Sequence, residues 1–267
     1  MDISILNSLL CSSVNSIRYL EEVDSTNNYA KTLALDNIDY QLPILITTND
    51  QTKGKGRMGR VWKSEPGENI AMSLLLKAPE GLSNYSSTTL LSALAVVKAI
   101  KDIAALSCLI KWPNDVIYDT KKICGILTEM LSIGNSNYII VGIGINTNSK
   151  LFPAEIKDKA TSLYLATGKK ISREELIAKT INNFMTYYND FVKIKDLSFI
   201  QNEYNSLLIS KDKEVILSSD NVSFPDNPYI SRGIDPNGGL VVESKNGQIF
   251  SVTSGEVSVR GVLGYAK

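Results

Sequence analysis

The chain has 267 residues, with 28 Lys plus Arg against 28 Asp plus Glu, so its formal net charge at pH 7 is zero. That balance argues against a generally basic nucleic-acid-binding protein, and 43% hydrophobic residues is ordinary for a globular protein. The sequence has no histidine, which excludes Ser-His-Asp catalysis and histidine-ligated zinc. Three widely spaced cysteines favour a reducing compartment, so we expect a cytoplasmic protein with no membrane segment.

Hydrophobic spacing and capping residues predict alternating strands and helices in the first half of the chain. In order, these are a short helix or arm before residue 17, a strand over 17–23, a helix to about residue 35, strands over 44–48 and 71–77, and a helix over 86–105. Three more strands, over 109–118, 123–130 and 138–145, follow in succession. That succession indicates a meander in a largely antiparallel sheet.

The remainder of the chain predicts two helices and then a change of character. Ser172 and Glu175 form a capping-box pattern before a helix to about residue 191, and a second helix covers 197–207. After about residue 209, five short strand candidates alternate with Asn, Gly, Pro and Asp turns, which is typical of a small β-barrel. The sequence therefore predicts two domains, over 1–209 and 210–267.

A glycine-rich basic loop lies between two of these predicted strands. The stretch from Lys53 to Lys63 carries five positive charges and no negative charge, and Gly54, Gly56 and Gly59 interrupt it. Cationic side chains together with free backbone N–H groups make an anion-binding loop. The spacing matches neither a Walker A loop nor a Rossmann fingerprint, and the alternative is a flexible, solvated loop.

The segment KWPND at 111–115 and the lysine that follows it are the next candidates. Asn114 and Asp115 suit ribose, phosphate or Mg²⁺, whereas the structural alternative is an Asx turn beside a buried tryptophan. Lys122 enters an apolar strand, where it either guards a sheet edge or places a positive charge against a carboxylate or phosphate.

Two further segments combine small and polar residues. Gly142 and Gly144 interrupt a predicted strand, which indicates either close approach of a ligand or tight sheet–helix packing. The run DSTN at 24–27 is a helix-capping cluster that could also face a polar ligand. Together, an anion loop, a lysine, a glycine floor and an Asn-Asp pair suit activation of a carboxylate by a nucleotide, with catalysis by positioning and charge stabilisation.

In this order, the motifs DSTNNYA, QTKGKGRMGRVW, KWPNDV, KKICGILTEM, VGIGIN, RGID and SGEVSVR resemble those of biotin protein ligases. The resemblance runs from about Val23 to Arg260. It implies an α+β fold, with a mixed, largely antiparallel sheet and packed helices like that of class II synthetases, plus a C-terminal SH3-like β-barrel. Biotin and ATP, with Mg²⁺, would form biotinyl-5′-AMP and pyrophosphate. A lysine of a biotin carboxyl carrier protein would then accept the biotin.

The resemblance also implies functional residues, with Lys122 and Arg57 as the catalytic candidates and Asp115 as the candidate Mg²⁺ ligand. The basic loop would close over the adenylate and shield it from water. The implied biotin-binding residues are Ser25, Thr26, Asn27, Gln51, Lys55, Gly56, Arg57, Lys122, Gly125, Gly142 and Gly144. The implied nucleotide-binding residues are Arg57, Arg60, Trp62, Lys111, Asn114, Asp115, Asn146 and Arg260.

The chain departs from the family pattern in two places. Lys55 replaces the first arginine of the commonest Gly-Arg-Gly-Arg loop, which keeps the charge but loses the bidentate fork. Bifunctional members carry an N-terminal winged helix–turn–helix, whereas only 24 mostly acidic or neutral residues precede Ser25 here. We therefore expect a monofunctional ligase that does not bind DNA, and the family allows a homodimer.

Two other functions are compatible with these motifs. One is a lipoate–protein ligase or octanoyl transferase, which has a related fold. The other is a non-catalytic biotin or adenylate sensor that acts through protein contacts. Activity with lipoate would support the first, and ligand binding without pyrophosphate release would support the second.

Overall fold

The computed structural model describes residues 1–36, 41–56, 61–62, 65–82, 84–219, 223–253 and 258–261. A short 3-10 helix at Ser198–Ile200 precedes the last α-helix. In these ranges the helices are α1 (Ile3–Leu9), α2 (Thr26–Leu35), α3 (Ser87–Ala104), α4 (Leu163–Thr167), α5 (Arg173–Ile194) and α6 (Gln201–Leu207). The strands are β1 (Ser16–Val23), β2 (Ile44–Gln51), β3 (Gly54–Lys55), β4 (Val61–Trp62), β5 (Ile70–Lys77), β6 (Leu109–Lys111), β7 (Asp115–Tyr118), β8 (Lys121–Ile133), β9 (Ser136–Ile145), β10 (Glu214–Ser218), β11 (Tyr229–Ile234), β12 (Leu240–Glu243), β13 (Ile249–Val252) and β14 (Ser258–Gly261).

A seven-stranded mixed sheet in the order β1-β2-β5-β9-β8-β7-β6 forms the centre of the protein. The β1–β2 pair is parallel and the other neighbours are antiparallel, so the predicted meander is confirmed. The prediction of one strand over 109–118 is wrong. β6 ends at Lys111 and β7 begins at Asp115, because Pro113 has no N–H for a ladder and the chain turns between them.

Helices cover the two faces of this sheet unequally. Helix α3 packs on one face and α5 packs against α3, and Val141, Ile143 and Ile145 of β9 join the main apolar core there. Helix α2 packs on part of the other face, against β5, β9 and β2. The alternation of β9 places Gly142 and Gly144 on the α2 face, next to the helix's N-terminus.

The C-terminal module is a five-stranded antiparallel sheet in the order β13-β12-β11-β10-β14, which fits the expected SH3-like module. Its apolar residues join the same core cluster as α3, α5 and the large sheet. The buried Trp112 indole donates a hydrogen bond to the Gly238 carbonyl at 3.0 Å and so ties the β6–β7 turn to this module. The domain boundary at residue 210 stays a prediction.

No helix in the described ranges has the length and apolar composition required for a membrane crossing.

The longest of these helices is α5, and Ser172 is its N-cap residue. The Ser172 hydroxyl accepts a hydrogen bond from the Glu175 N–H, as the capping pattern predicts. Its buried residues recur along one side, and charged residues such as Lys179 lie on the other.

Candidate active site

A row of small residues crosses the α2 face of the large sheet. Gly125 pairs with Gly144, Gly144 pairs with Ala71, and Ala71 pairs with Thr48 on successive strands β8, β9, β5 and β2. Directly opposed residues point to the same face of a sheet. These four residues therefore form a low floor about 14 Å long, which is three strand spacings.

The three glycines described on this face differ in what their missing side chain makes room for. A Cβ at Gly142 would lie 2.3 Å from Asn27 Oδ1, and a Cβ at Gly125 would lie 2.8 Å from Lys122 Nζ. A Cβ at Gly144 would meet no described atom closer than 3.8 Å. Gly142 and Gly125 therefore make room for protein side chains, whereas Gly144 leaves space above the floor. The biotin contacts implied for Gly142 and Gly144 stay a prediction, and the Asn27 side chain lies over Gly142.

One end of the floor carries an ion pair. Lys122 Nζ lies 2.6 Å from Asp115 Oδ1, and the side chains are 24% and 13% exposed. The Asp115 Oδ1 atom is buried, and the Lys122 ammonium is its close partner. The β7–β8 hairpin brings the two residues together, through a shift in register after Val116, and Lys111 lies opposite Asp115 on β6.

Two asparagines near this end of the floor donate hydrogen bonds to backbone carbonyl groups. Asn114 Nδ2 donates to the Ile126 carbonyl at 3.1 Å, and Asn146 Nδ2 donates to the Thr161 carbonyl at 3.0 Å. Asn146 is only 3% exposed, so its amide fixes the segment beside Lys122. Their contacts with a nucleotide stay a prediction.

The other end of the floor is a cluster of uncharged polar groups. The Thr26 N–H donates to Gln51 Oε1 at 2.9 Å, and the Thr26 hydroxyl lies 2.7 Å from Ser73 Oγ. Ser73 Oγ lies 2.6 Å from Asn27 Oδ1. Ser25 occupies the N-cap of α2 and is 3% exposed, but its side chain makes no capping hydrogen bond. Thr26 and Asn27 of the DSTN run therefore belong to this cluster, and the expected side-chain cap by Ser25 is not formed.

Sequence reasoning missed one residue of this cluster, Ser73, and the ion pair beside it, Glu129 and Lys31. Ser73 bonds to the predicted residues, and Glu129 accepts from Asn27 Nδ2 at 2.8 Å while it pairs with Lys31 at 2.6 Å. A single serine within the apolar run IAMSLLLK was the one available signal for Ser73. The glutamate and lysine had no such signal.

The basic loop is only partly described. Lys55 Nζ contacts Asn28 Oδ1 at 3.1 Å, and Gly54–Lys55 pairs antiparallel with Val61–Trp62 next to Gly56. Arg57 and Arg60 lie outside the described residues. Of Trp62 and Arg260 only the backbone is described, and Arg260 lies opposite Ile216 on β10.

Two buried cysteines of the main core, Cys108 and Cys124, are poor nucleophiles. Burial raises the pKa of Cys108 to about 12 and raises the pKa of Cys124 further, although the latter lies two residues from Lys122. A thiolate is the reactive form, so both side chains stay protonated near neutral pH. The reactive groups at the floor are therefore charged and hydrogen-bonding groups.

The fold that carries this floor, with its charged end and its polar end, is similar to known proteins in both sequence and structure. Residues 19–146 match the biotin/lipoate A/B protein ligase family, and residues 221–260 match the biotin protein ligase C-terminal domain. A biotin protein ligase from Aquifex aeolicus, in complex with biotin and ATP, superposes with a TM-score of 0.79 at 31% identity. The match covers 92% of this chain and 99% of that one.

Curated relatives agree with this assignment. A biotin–[acetyl-CoA-carboxylase] ligase of Paracoccus denitrificans is 32% identical over 59% of this chain and 67% of its own length. The bifunctional ligase/repressor BirA of Bacillus subtilis is 41% identical over 65% of this chain. That match spans 54% of the BirA length, about half of the relative. The chain belongs to the biotin protein ligase family.

Proposed function

We propose that this protein is an ATP-dependent biotin protein ligase. In the first step the biotin carboxylate attacks the α-phosphate of ATP, which gives biotinyl-5′-AMP and releases pyrophosphate. In the second step the amine of an acceptor lysine attacks the acyl carbon and AMP leaves. The acceptor is the carboxyl carrier domain of a biotin-dependent carboxylase.

The observation that carries this proposal is the layout of the floor. Lys122 lies at one end, hydrogen-bonding groups of Thr26 and Gln51 lie at the other, and the space above Gly144 lies between them. Biotin has the matching order: a carboxylate, an apolar chain and ring, and a urea. A buried urea needs partners for its carbonyl and both N–H groups, which the polar end supplies.

Lys122 would bind the carboxylate and then the α-phosphate as negative charge develops there. An ammonium aimed at developing charge in a partly desolvated site stabilises the transition state more than it would in water. Asp115, 2.6 Å away, holds this ammonium over Gly125 before the substrates arrive. Arg57 would add a second cation from the basic loop.

The residues present fit one Mg²⁺ ion. Asp115 supplies a carboxylate at this end of the floor, where its Oδ1 already contacts Lys122 Nζ at 2.6 Å, and Mg²⁺ in nucleotide sites usually takes one or two carboxylates plus phosphate oxygens. Asp115 would hold the ion, which would neutralise charge on the nucleotide phosphates. Lys111, opposite Asp115 on β6, would add a cation for the same phosphates.

The polar end also separates biotin from lipoate, the main alternative acid. The dithiolane ring of lipoate offers no N–H or carbonyl to Thr26 and Gln51, so its binding would displace water from these polar groups without replacing the hydrogen bonds of that water. Such a loss costs about 1–3 kcal/mol for each group. The site therefore favours biotin.

The test is pyrophosphate release with ATP, Mg²⁺ and biotin, followed by addition of a biotin carboxyl carrier domain and mass spectrometry. We expect pyrophosphate, and then a mass increase of one biotinyl group on the acceptor. Parallel reactions receive lipoate and octanoate. Release with lipoate but not with biotin would contradict the proposal, and so would biotin binding without pyrophosphate release.

A further inference from the structure

A continuous chain of polar contacts leads from the protein surface to the polar end of the floor. Lys31 pairs with Glu129, and Glu129 accepts from Asn27 at 2.8 Å. The chain continues from Asn27 to Ser73 at 2.6 Å and from Ser73 to Thr26 at 2.7 Å. Asn27, Ser73 and Thr26 are each 5% exposed or less.

The carboxylate of Glu129 fixes the direction of every hydrogen bond in this chain. An ionised carboxylate and a backbone carbonyl can only accept, so Asn27 must turn its NH₂ group towards Glu129 and Leu127. Its oxygen therefore faces Ser73, and the single Ser73 proton must point at that oxygen. Ser73 then accepts from the Thr26 hydroxyl.

This direction determines what Thr26 and Gln51 offer a ligand. Because the Thr26 hydroxyl proton points at Ser73, its oxygen presents lone pairs to the floor. Gln51 Oε1 accepts the hydrogen bond from the Thr26 N–H. The Gln51 NH₂ group therefore points away from Thr26 and can donate to a ligand. The two oxygens lie 3.2 Å apart, so an acceptor stands beside a donor group.

An edge of a cyclic urea presents the complementary pair, an N–H beside a carbonyl oxygen. We propose that Glu129 is a positioning residue that sets the polarity of this chain and thereby makes the polar end selective for a urea over all-donor rings. This inference rests on the proposed function for the identity of the ligand. Lys31 neutralises Glu129 and keeps its carboxylate in place.

Calorimetric titration tests the inference through binding alone, without turnover. The ligands are biotin and 2-iminobiotin, in which a guanidine of donor groups replaces the urea. Glu129→Gln keeps the shape but lets the new amide either accept or donate. We expect biotin Kd to rise about 10- to 100-fold, the range of a lost charged hydrogen bond. The preference for biotin over 2-iminobiotin should fall.

Controls separate positioning from simple loss of structure. Asp102→Asn removes the carboxylate of another half-exposed ion pair, Lys179–Asp102 at 3.0 Å, and should leave both Kd values unchanged. In an Asn27→Ala background the chain is already broken, so Glu129→Gln should add no further loss. Equal weakening of both ligands in Glu129→Gln, or an unchanged biotin Kd, would overturn the inference.

The outcome also stays distinct from the fate of the proposed function. If wild-type protein binds biotin with the expected dependence on Glu129 but releases no pyrophosphate, the positioning role stands and the ligase activity fails. If pyrophosphate is released and Glu129→Gln binds both ligands as wild type does, the activity stands and the positioning role fails.

Discussion

The two faces of the large sheet are built from the same strands but carry opposite kinds of side chain. On the α3 face, Val141, Ile143 and Ile145 of β9 are at most 3% exposed and join the main core. On the α2 face, the alternate positions of that strand are Gly142 and Gly144. Period-two alternation in β9 thus separates the packed face from the proposed ligand-binding face within a few residues.

A sheet can carry a polar site on one face when its other face packs an apolar core. Apolar packing against α3 and α5 stabilises the strands from one side. The other face can then carry an ion pair, glycines and a hydrogen-bonded chain, which contribute less to burial. Substitutions on the two faces should therefore separate stability from activity.

The largest effect is expected from Lys122→Ala at the charged end of the floor. Loss of one such group typically lowers kcat by about 10²–10³-fold, because developing charge loses its partner. Adenylate formation measured by pyrophosphate release should fall by that amount. Lys121→Ala is the matched control, since its ammonium contacts the Lys157 carbonyl, and it should keep wild-type activity. An active Lys122→Ala protein would remove this residue from the mechanism.

Alanine substitutions at the two α2-face glycines of β9 should separate folding stability from biotin affinity more sharply. In Gly142→Ala the new Cβ would collide with Asn27, and such overpacking typically costs about 1–3 kcal/mol of folding free energy. In Gly144→Ala the Cβ meets only ordinary contacts, so stability should hold while biotin affinity falls. Denaturant unfolding and calorimetry would measure both quantities. A Gly144→Ala protein with wild-type biotin affinity would show that biotin does not occupy this space.

Ile143→Val on the core face should have a smaller effect, and the effect should be the reverse of that of Gly144→Ala: lower stability with unchanged biotin affinity. Removal of one buried methylene should lower the free energy of unfolding by about 0.5–1.5 kcal/mol. The Kd for biotin should not change, because the side chain points away from the floor. If biotin binding weakened together with stability, the two faces would not be independent.

The smallest expected effect is an absence of thiol reactivity on the core side. Because burial raises the pKa of Cys108 to about 12 and raises the pKa of Cys124 as well, neither forms thiolate at pH 8. Mass spectrometry after iodoacetamide treatment should find both unmodified in native protein and modified after unfolding. Rapid native labelling of Cys124 would mean that the sheet opens beside Lys122.

Local patterns in the sequence predicted most of the fold. Ser172 and Glu175 located the start of α5, and regular turn residues predicted the five C-terminal strands. The turn at Pro113 splits the predicted strand over 109–118, and its local signal was the Asx-turn alternative for Asn114 and Asp115 beside a buried tryptophan. The parallel β1–β2 pair was not predicted, since strand partners depend on contacts that propensity does not encode.

The candidate site was predictable in its chemical types and only partly in its contacts. Lys122, Thr26 and Gln51 stood in recognisable motifs. Glu129 acts through Asn27, 102 positions away in the chain, and the two meet because α2 packs on a sheet in which β8 lies beside β9. A contact of that kind follows from tertiary packing and leaves no local signal.

The most direct test of the account is a crystal structure with biotin and a non-hydrolysable ATP analogue. The account predicts the biotin rings above Gly144, the urea within hydrogen-bond distance of Thr26 and Gln51, and the carboxylate at Lys122. Biotin bound away from this floor, or bound with its urea at Lys122, would contradict the account.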